Sequence, residues 1–189
     1  HHPLHFKMKD LVENGAIGEL RAIRSTFVGG GTSRHKMRPE MNWRLNPARG
    51  GDVVYDLGCY NIHHARFITD LEPTTVFALG ERHPVCGIHD QVTILLDFPG
   101  GVTAEISIGY GFYPQQYVEV HGTEGYLRTD LAWNNENKAT TLEARFDGRQ
   151  ERYELAGQDQ FAHQLRHMMD CLEHGVAHLG VARVDGLLA

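Results

Sequence analysis

The stretch Gln91–Gly109, "QVTILLDFPGGVTAEISIG", largely alternates apolar with polar residues on both sides of a short turn signal. Alternation with a period of two is typical of a β-strand that buries one face. The separator "FPGG" at Phe98–Gly101 is too short for a parallel crossover, so it joins antiparallel neighbours. The stretch therefore predicts a hairpin of two strands, Gln91–Phe98 and Val102–Gly109.

The same period continues on both sides of this hairpin. Gly18–Val28 predicts an earlier strand that is covered on much of both faces. Turn signals at His121–Gly125 ("HGTEG") and Phe146–Arg149 ("FDGR") separate the later strands. The remaining predicted strands are Thr75–Arg82, Gln116–His121, Gly125–Thr129 and Thr141–Phe146.

Three segments have helical spacing instead. Residues 3–14 predict a helix that stops at Gly15, and a second helix begins at Asp52 and ends near Asp70. The third, Asp159–Gly175, is amphipathic and is capped by its aspartate. Its apolar stripe consists of Phe161, Leu165, Met168, Met169 and Leu172. The sum predicts an α+β fold: a large, mostly antiparallel, open-faced sheet with helices packed on one face.

The composition narrows the class of protein. The chain has 189 residues with 41% hydrophobic and 22% charged residues, which is a globular balance. Its formal net charge of -6 disfavours a nucleic acid or an anionic membrane as partner. No stretch approaches the roughly 18 to 20 apolar residues that span a bilayer, so we expect no membrane span, and we also expect no signal peptide. The three cysteines are widely spaced, so we expect reduced thiols and a cytoplasmic protein.

The second predicted helix carries polar side chains where a buried helix should be apolar. At about 100° per residue, Asp56 and Tyr60 lie about 40° apart, with His63 about 20° to the other side of Asp56. His64 lies about 80° from Asp56, at the edge of this group. A carboxylate can orient a phenol for proton transfer, and a nearby cation can lower the pKa of that phenol. The simpler interpretation is a packed tyrosine whose hydroxyl reaches water and an aspartate that favours the helix dipole.

A polar loop of about twenty residues, 32–51, precedes this helix. Loops of that length inside a domain are often binding loops. Its "NWR" motif offers Trp43 as an apolar wall and Arg44 as a ligand for a carboxylate or phosphate. A core tryptophan and a structural salt bridge are the alternative interpretation.

The histidines raise two further alternatives. "HHPLH" at the start is either a remnant of a purification tag or native sequence, and a metal site made from His1, His2 and His5 is a weak hypothesis. A metal-dependent hydrolase that uses His63 and His64 is also weak, because adjacent helical positions point about 100° apart. We therefore predict no metal site.

Several motifs together resemble a known family. "GELRAIRSTF", "NWRL" and "GGDVVYDLGCYNIHHARFI" resemble the C-terminal domain of the Gfo/Idh/MocA oxidoreductases, and "HGTEGYLRTD" and "VDGLLA" (Val184–Ala189) are similar to its sheet hairpin and to the start of its last helix. The opening "HHPLHFKMKDLVENGAIGELRAI" also resembles this domain, which implies that His2 and Pro3 are native. The nearest branch is that of glucose-fructose oxidoreductase, dimeric dihydrodiol dehydrogenase and xylose dehydrogenase.

The resemblance implies a role for each polar residue. Asp56 matches the active-site aspartate, and Tyr60 matches the residue that acts as general acid and base on a substrate hydroxyl. His63 falls where relatives often carry Asp or Asn, which leaves the identity of the substrate open. Trp43, Arg44, His63 and His64 are the expected substrate-binding residues.

The resemblance also implies a second domain. The family binds NAD or NADP mainly with an N-terminal Rossmann domain, which also supplies a catalytic lysine from a Glu-Lys-Pro motif. Neither that motif nor G-x-G-x-x-G occurs here, since "GGGTS" and "GYGFYP" have the wrong spacing. We therefore expect residues 1–189 to be a single C-terminal α+β domain that binds no cofactor by itself.

Two hypotheses of function follow. The first is the substrate-binding half of an NAD(P)-dependent dehydrogenase or reductase that acts on a hydroxyl of a sugar, polyol or dihydrodiol. The second is a non-catalytic binding or assembly module that works through its sheet. We favour the first for the parent protein and the second for the isolated chain, and we expect a homodimer through the sheet in either case. A βαβ unit with a glycine fingerprint upstream of His1 would distinguish the two.

Overall fold

The computed structural model describes residues 2–30 and 33–175, and these contain one mixed sheet of eight strands. The strand order is β2-β3-β4-β1-β5-β6-β7-β8. The strands are β1 (Leu20–Gly30), β2 (Thr75–Arg82), β3 (His89–Phe98), β4 (Val102–Phe112), β5 (Gln115–Gly122), β6 (Gly125–Thr129), β7 (Thr140–Phe146) and β8 (Arg149–Leu155).

The neighbours in this sheet are antiparallel with one exception. β1 pairs with β4 in parallel, for example Phe27 beside Ile108, and with β5 in the antiparallel sense. A parallel pair needs a long crossover, and the segment between β1 and β4 supplies one because it contains a helix and the β2–β3 hairpin. The prediction of a mostly antiparallel sheet in an α+β fold is confirmed.

Two of the three helices cover one face of the sheet. α1 (Pro3–Glu13) and α2 (Cys59–Thr69) contact each other, and α2 packs on β1 and β4. The alternation of β3 explains this arrangement, since its even-numbered residues from Val92 to Phe98 are buried and its odd-numbered residues face outward. The other face of the sheet is left open among the described residues.

The third helix, α3 (Gln160–His174), forms with the predicted caps but without a partner for its stripe. Asp159 accepts from two backbone N–H groups at the start, and Gly175 ends the helix in the left-handed conformation. All five residues of the predicted apolar stripe are 51–73% exposed in the described part of the chain. Val184–Ala189, which resembled the start of a final helix, lies outside the described residues.

The sequence pattern did not predict the strand β8, and it did not predict that the second helix begins with a different type of helical turn. β8, "RQERYEL", is an edge strand with four charged residues, and only Tyr153 and Leu155 mark the side that packs on the core, so its sequence pattern is too short to predict a strand. The second helix begins with a π-helical turn, Val54–Gly58, before α2. None of the described helices is long and apolar enough to cross a membrane.

Candidate active site

The π-helical turn lies directly against β4. Asp52 begins the segment by accepting a hydrogen bond from the backbone of Val54 at 3.0 Å. Gly58 allows the close approach, because a Cβ there would lie 2.9 Å from Ile108 Cδ1 on β4. A π turn rotates less per residue than an α-helix, so the rule of 100° per residue does not apply across it. Such turns are frequent at functional sites.

Asp56 lies in this turn, and both of its carboxylate oxygens are engaged. Arg44 Nε donates to Oδ1 at 2.8 Å, and the hydroxyl of Tyr110 donates to Oδ2 at 2.9 Å. Burial and the adjacent Asp56 raise the pKa of Tyr110, so its phenol stays a donor. Two donors from different elements fix the orientation of the carboxylate plane.

Arg44 is itself held in place by its short 3₁₀ turn, Trp43–Leu45. Asn42 caps the turn by accepting from the Arg44 backbone N–H at 3.1 Å, and the guanidinium lies 4.6 Å from the centre of the Trp43 ring. Gly51 permits this arrangement, because a Cβ there would lie 2.5 Å from two backbone carbonyl oxygens of the turn. The loop thus positions the arginine on Asp56.

Tyr60 follows at the start of α2 with its side chain partly accessible, 47% exposed. Its ring packs against Phe27 and Trp133, with centroid distances of 5.9 and 6.2 Å. Burial, Cys59 and Asp56 raise the pKa of Tyr60, while Arg44 acts in the opposite direction. The phenol is therefore protonated at neutral pH and can donate a proton.

These groups line an open pocket of about 970 Å³. One side is formed by the loop before the π turn, and the floor contains Phe27 and Trp133. Beyond the ends of β1 and β5 the lining continues to β6 and the loop that follows it. Its polar residues are Asn42, Arg44, Asp56, Tyr60, Tyr110, Gln115, Gln116, Arg128, Asp130, Asn134, Glu136 and Gln160.

Two histidines, the buried His64 and the partly buried His5, pack behind Trp133 in the pocket floor. His5 stacks on Trp133 at 5.5 Å, and His64 lies 5.0 Å from His5 and 5.6 Å from the indole. Neither ring nitrogen of His64 has a hydrogen-bond partner in the described structure. Burial lowers the pKa of His64 to about 3 and that of His5 well below its usual value, so both rings are neutral.

The structure brings together three of the six predicted site residues. Arg44, Asp56 and Tyr60 line the pocket. The other three lie outside its lining. The ring of Trp43 packs against the guanidinium of Arg44. His63 is on the exposed side of α2, and His64 is buried.

Tyr110 and Trp133 are the main site residues that sequence reasoning did not identify. Tyr110 lies in "GYGFYP", just past the end of the predicted strand, and continues the inward side of β4 after Ile106 and Ile108. That alternation was the available signal. No comparable signal marks Trp133, which comes from an irregular loop.

The fold and the pocket define a sheet domain with an open cleft whose lining contains both a carboxylate, Asp56, and a phenol, Tyr60. Residues 5–128 match the GFO/IDH/MocA C-terminal domain, so the chain belongs to this family of domains. It is similar to the trans-1,2-dihydrobenzene-1,2-diol dehydrogenase of Oryctolagus cuniculus, with 26% identity over 178 residues that cover 89% of this chain and 51% of that protein. It is also similar to a D-xylose 1-dehydrogenase [NADP(+)] of Haloarcula marismortui, with 29% identity over 161 residues that cover 75% and 42%.

A solved structure shows the same fold. The aldose-aldose oxidoreductase from Caulobacter crescentus, complexed with glycerol, superposes with a TM-score of 0.81 and 25% identity. The match covers 94% of this chain and 52% of that one. The chain thus spans about half the length of the proteins it resembles.

Proposed function

We propose that this chain is the substrate-binding and proton-transfer half of an NAD(P)-dependent dehydrogenase or reductase. Its substrate is a hydroxyl, or the matching carbonyl, of a sugar, polyol or dihydrodiol. The observation that carries the proposal is the pocket whose lining contains both a partly exposed phenol, Tyr60, and a doubly anchored carboxylate, Asp56. The relatives named as dihydrodiol and xylose dehydrogenases support it.

In this proposal Tyr60 exchanges the proton of the substrate oxygen and Asp56 positions the substrate beside it. Such a reaction pairs hydride transfer at a nicotinamide with proton transfer at the substrate oxygen, and the residues of this chain serve the second part. Because the pKa of Tyr60 is raised here, the phenol is suited to donate a proton. Use of Tyr60 as a base requires a further cation, which we assign to the lysine of a cofactor domain.

The described residues do not fit the phosphates of a dinucleotide. The pocket lining contains two arginines, and both are paired with carboxylates: Arg44 with Asp56, and Arg128 with Glu119 and Asp130. A pyrophosphate needs free cations or a glycine-rich helix start. We therefore propose that a separate Rossmann domain of the full-length protein binds NAD or NADP.

The four residues predicted to bind the substrate are supported by the pocket geometry to different degrees. The position of Arg44 in the lining supports a contact with the substrate, made while its Nε holds Asp56. The roles of Trp43, His63 and His64 stay predictions, since their side chains lie outside the lining.

Two further properties belong to the proposal. Phe77, Leu79 and Leu95 are exposed on the open face of the sheet, opposite α1 and α2, and we propose that a second copy of the protein covers them.

Cys59 and Cys86 are free thiols, which supports a reducing compartment such as the cytoplasm.

Substitution of Tyr60 tests the catalytic proposal. In the full-length protein, assayed with NADP and a panel of aldoses, polyols and dihydrodiols, Tyr60→Phe should lower kcat by about 10²- to 10⁴-fold with little change in KM. Tyr113→Phe is the matched control, because Tyr113 is 93% exposed and is not part of the pocket lining. An unchanged kcat in Tyr60→Phe would remove Tyr60 from the mechanism.

A further inference from the structure

The pocket contains a second group of polar residues that the proton-transfer chemistry does not use. Arg128, Asp130, Asn134 and Glu136 belong to β6 and the loop after it, and we call this group the distal subsite. In the sheet, β1 and β5 lie between β4 and β6. The β6 end of the distal subsite is thus separated from Tyr110 on β4 by the width of two strands, whereas Glu136 in the loop is close enough to contribute to the raised pKa of Tyr60.

The one cation of the distal subsite is already neutralised. Arg128 donates to Glu119 through Nη1 and to Asp130 through Nη2, the latter at 2.7 Å. Its guanidinium also lies 5.1 Å from the centre of the Tyr117 ring. With two carboxylates on one guanidinium, the cluster carries an excess negative charge.

Glu136 adds another carboxylate to the same region. Gln160 Nε2 donates to its Oε1 at 3.1 Å, and no lysine or arginine of the described chain forms a salt bridge with it. At the other end of the pocket, Arg44 and Asp56 cancel each other. The lining contributed by this chain is therefore net negative.

We propose that the distal subsite selects neutral polyhydroxylated substrates and rejects sugars that carry phosphate, nucleotide or carboxylate groups. Carboxylates accept hydrogen bonds from sugar hydroxyls, whereas an anion in the same position meets like charge, and both arginines of the described lining are already paired with carboxylates. The nearby ammonium of Lys138 lies outside the lining and donates to the backbone carbonyl of Asn134. This inference rests on the proposed function only in that the pocket binds a carbohydrate. It separates this chain from a nucleotide-sugar enzyme of the same fold.

The test measures binding independently of turnover. Trp133 in the pocket floor reports occupancy through the intrinsic fluorescence of the full-length protein with NADP. Glucose and xylose are the neutral probes, and glucose 6-phosphate, glucuronate and dTDP-glucose are the anionic probes. We expect the anionic probes to bind at least about tenfold more weakly than the neutral ones at low ionic strength, and this gap should narrow as salt is added.

A charge reversal in the subsite then shows where the discrimination arises. Glu136→Lys should reduce the gap between glucose and glucose 6-phosphate by at least about tenfold. Glu173→Lys makes the same change of charge on α3, thirteen residues and about 20 Å further along that helix than Gln160, and should leave the gap unchanged.

The outcomes separate this inference from the catalytic proposal. Tight binding of an anionic probe by the unmodified protein, no binding of either neutral sugar, or an unchanged ratio in Glu136→Lys would each overturn it. A discrimination that does not respond to salt would also overturn it, since the argument is electrostatic. If neutral sugars bind selectively but are not oxidised, the catalytic proposal fails and the distal subsite stands.

Discussion

The hydroxyl of Tyr110 donates a hydrogen bond of 2.9 Å to Oδ2 of Asp56, while Arg44 occupies Oδ1 of the same carboxylate. The two donors come from a strand and from a loop more than sixty residues apart in sequence. A carboxylate fixed by two such partners cannot rotate when a substrate enters, so its remaining lone pairs keep one direction. In the proposed mechanism, a carboxylate held in this way would keep the substrate in position for proton transfer by Tyr60.

Removal of the Tyr110 hydroxyl should therefore impair turnover. A hydrogen bond to a charged group contributes about 1.5–3 kcal/mol. If that energy serves the orientation of Asp56, Tyr110→Phe should lower kcat by about ten- to hundredfold with a smaller effect on KM. Steady-state kinetics of the full-length protein would measure the change.

The control for Tyr110→Phe separates positioning from proton transfer. If Tyr110 positions Asp56, the variant should keep the pH profile of kcat that Tyr60 sets, whereas a proton donor would change it. A kcat equal to that of the unmodified protein would show that the Arg44 contact alone is sufficient to hold Asp56.

The candidate site shows which features the sequence could predict. Asp56 and Tyr60 lie four positions apart on one helical segment, and Arg44 lies in the loop just before it, so local spacing brought them together. Tyr110 and Trp133 join them only because β1 inserts between β4 and β5. That parallel pairing is a tertiary feature, and a period-two pattern does not encode which strand lies beside which.

Gly51 offers a test of the loop that carries Arg44. A Cβ at Gly51 would lie 2.5 Å from the carbonyl oxygens of Trp43 and Arg44, which no side-chain rotation can relieve. Gly51→Ala should displace the turn, cost about 1–3 kcal/mol of stability and lower kcat in the protein that still folds. Chemical denaturation and kinetics would measure the two effects.

The neighbouring glycine provides the matched variant. Gly50 has φ +77° but open space around its Cβ position, so Gly50→Ala should cost about 1–2 kcal/mol through backbone strain alone. Its kcat should stay close to normal once the protein is folded. Equal losses of kcat in both variants would contradict the assigned role of the turn.

The two histidines behind Trp133, His64 and His5, should make stability depend on pH. In the unfolded chain His64 takes up a proton below its ordinary pKa of 6.5, whereas in the folded protein it does so only near about 3. The unfolded state therefore binds more protons between these values, and the free energy of unfolding should fall as pH is lowered through this window. The slope should reach up to about 1.4 kcal/mol per pH unit for each such histidine, and His5 acts in the same direction.

His64→Phe should reduce this dependence. Because neither ring nitrogen of His64 has a hydrogen-bond partner among the described residues, phenylalanine should lose no hydrogen bond there and should keep an aromatic ring beside Trp133. Urea denaturation between about pH 7 and pH 4 would compare the slopes, with the exposed His35→Gln as control. An unchanged slope in His64→Phe would assign the acid sensitivity to other groups.

The isolated chain should bind NADP negligibly, because both arginines in its pocket are already paired. Isothermal titration calorimetry of the 189-residue chain should give no measurable heat, while the full-length protein should bind at micromolar concentrations or below. Micromolar binding by the chain alone would contradict the assignment of the cofactor to a separate domain.

The last prediction concerns the open face of the sheet. Phe77 pairs with Leu95 across β2 and β3, and both are exposed on the side away from α1 and α2, as is Leu79. If two copies pack through this face, Phe77→Lys should bury an unpaired charge in the interface and dissociate the dimer. Val76→Lys is the matched control, because Val76 is equally exposed on the same strand but points to the opposite face. Sedimentation equilibrium should find Phe77→Lys monomeric and Val76→Lys dimeric. A monomeric unmodified protein would contradict the proposed dimer, and loss of the dimer in Val76→Lys alone would place the interface elsewhere.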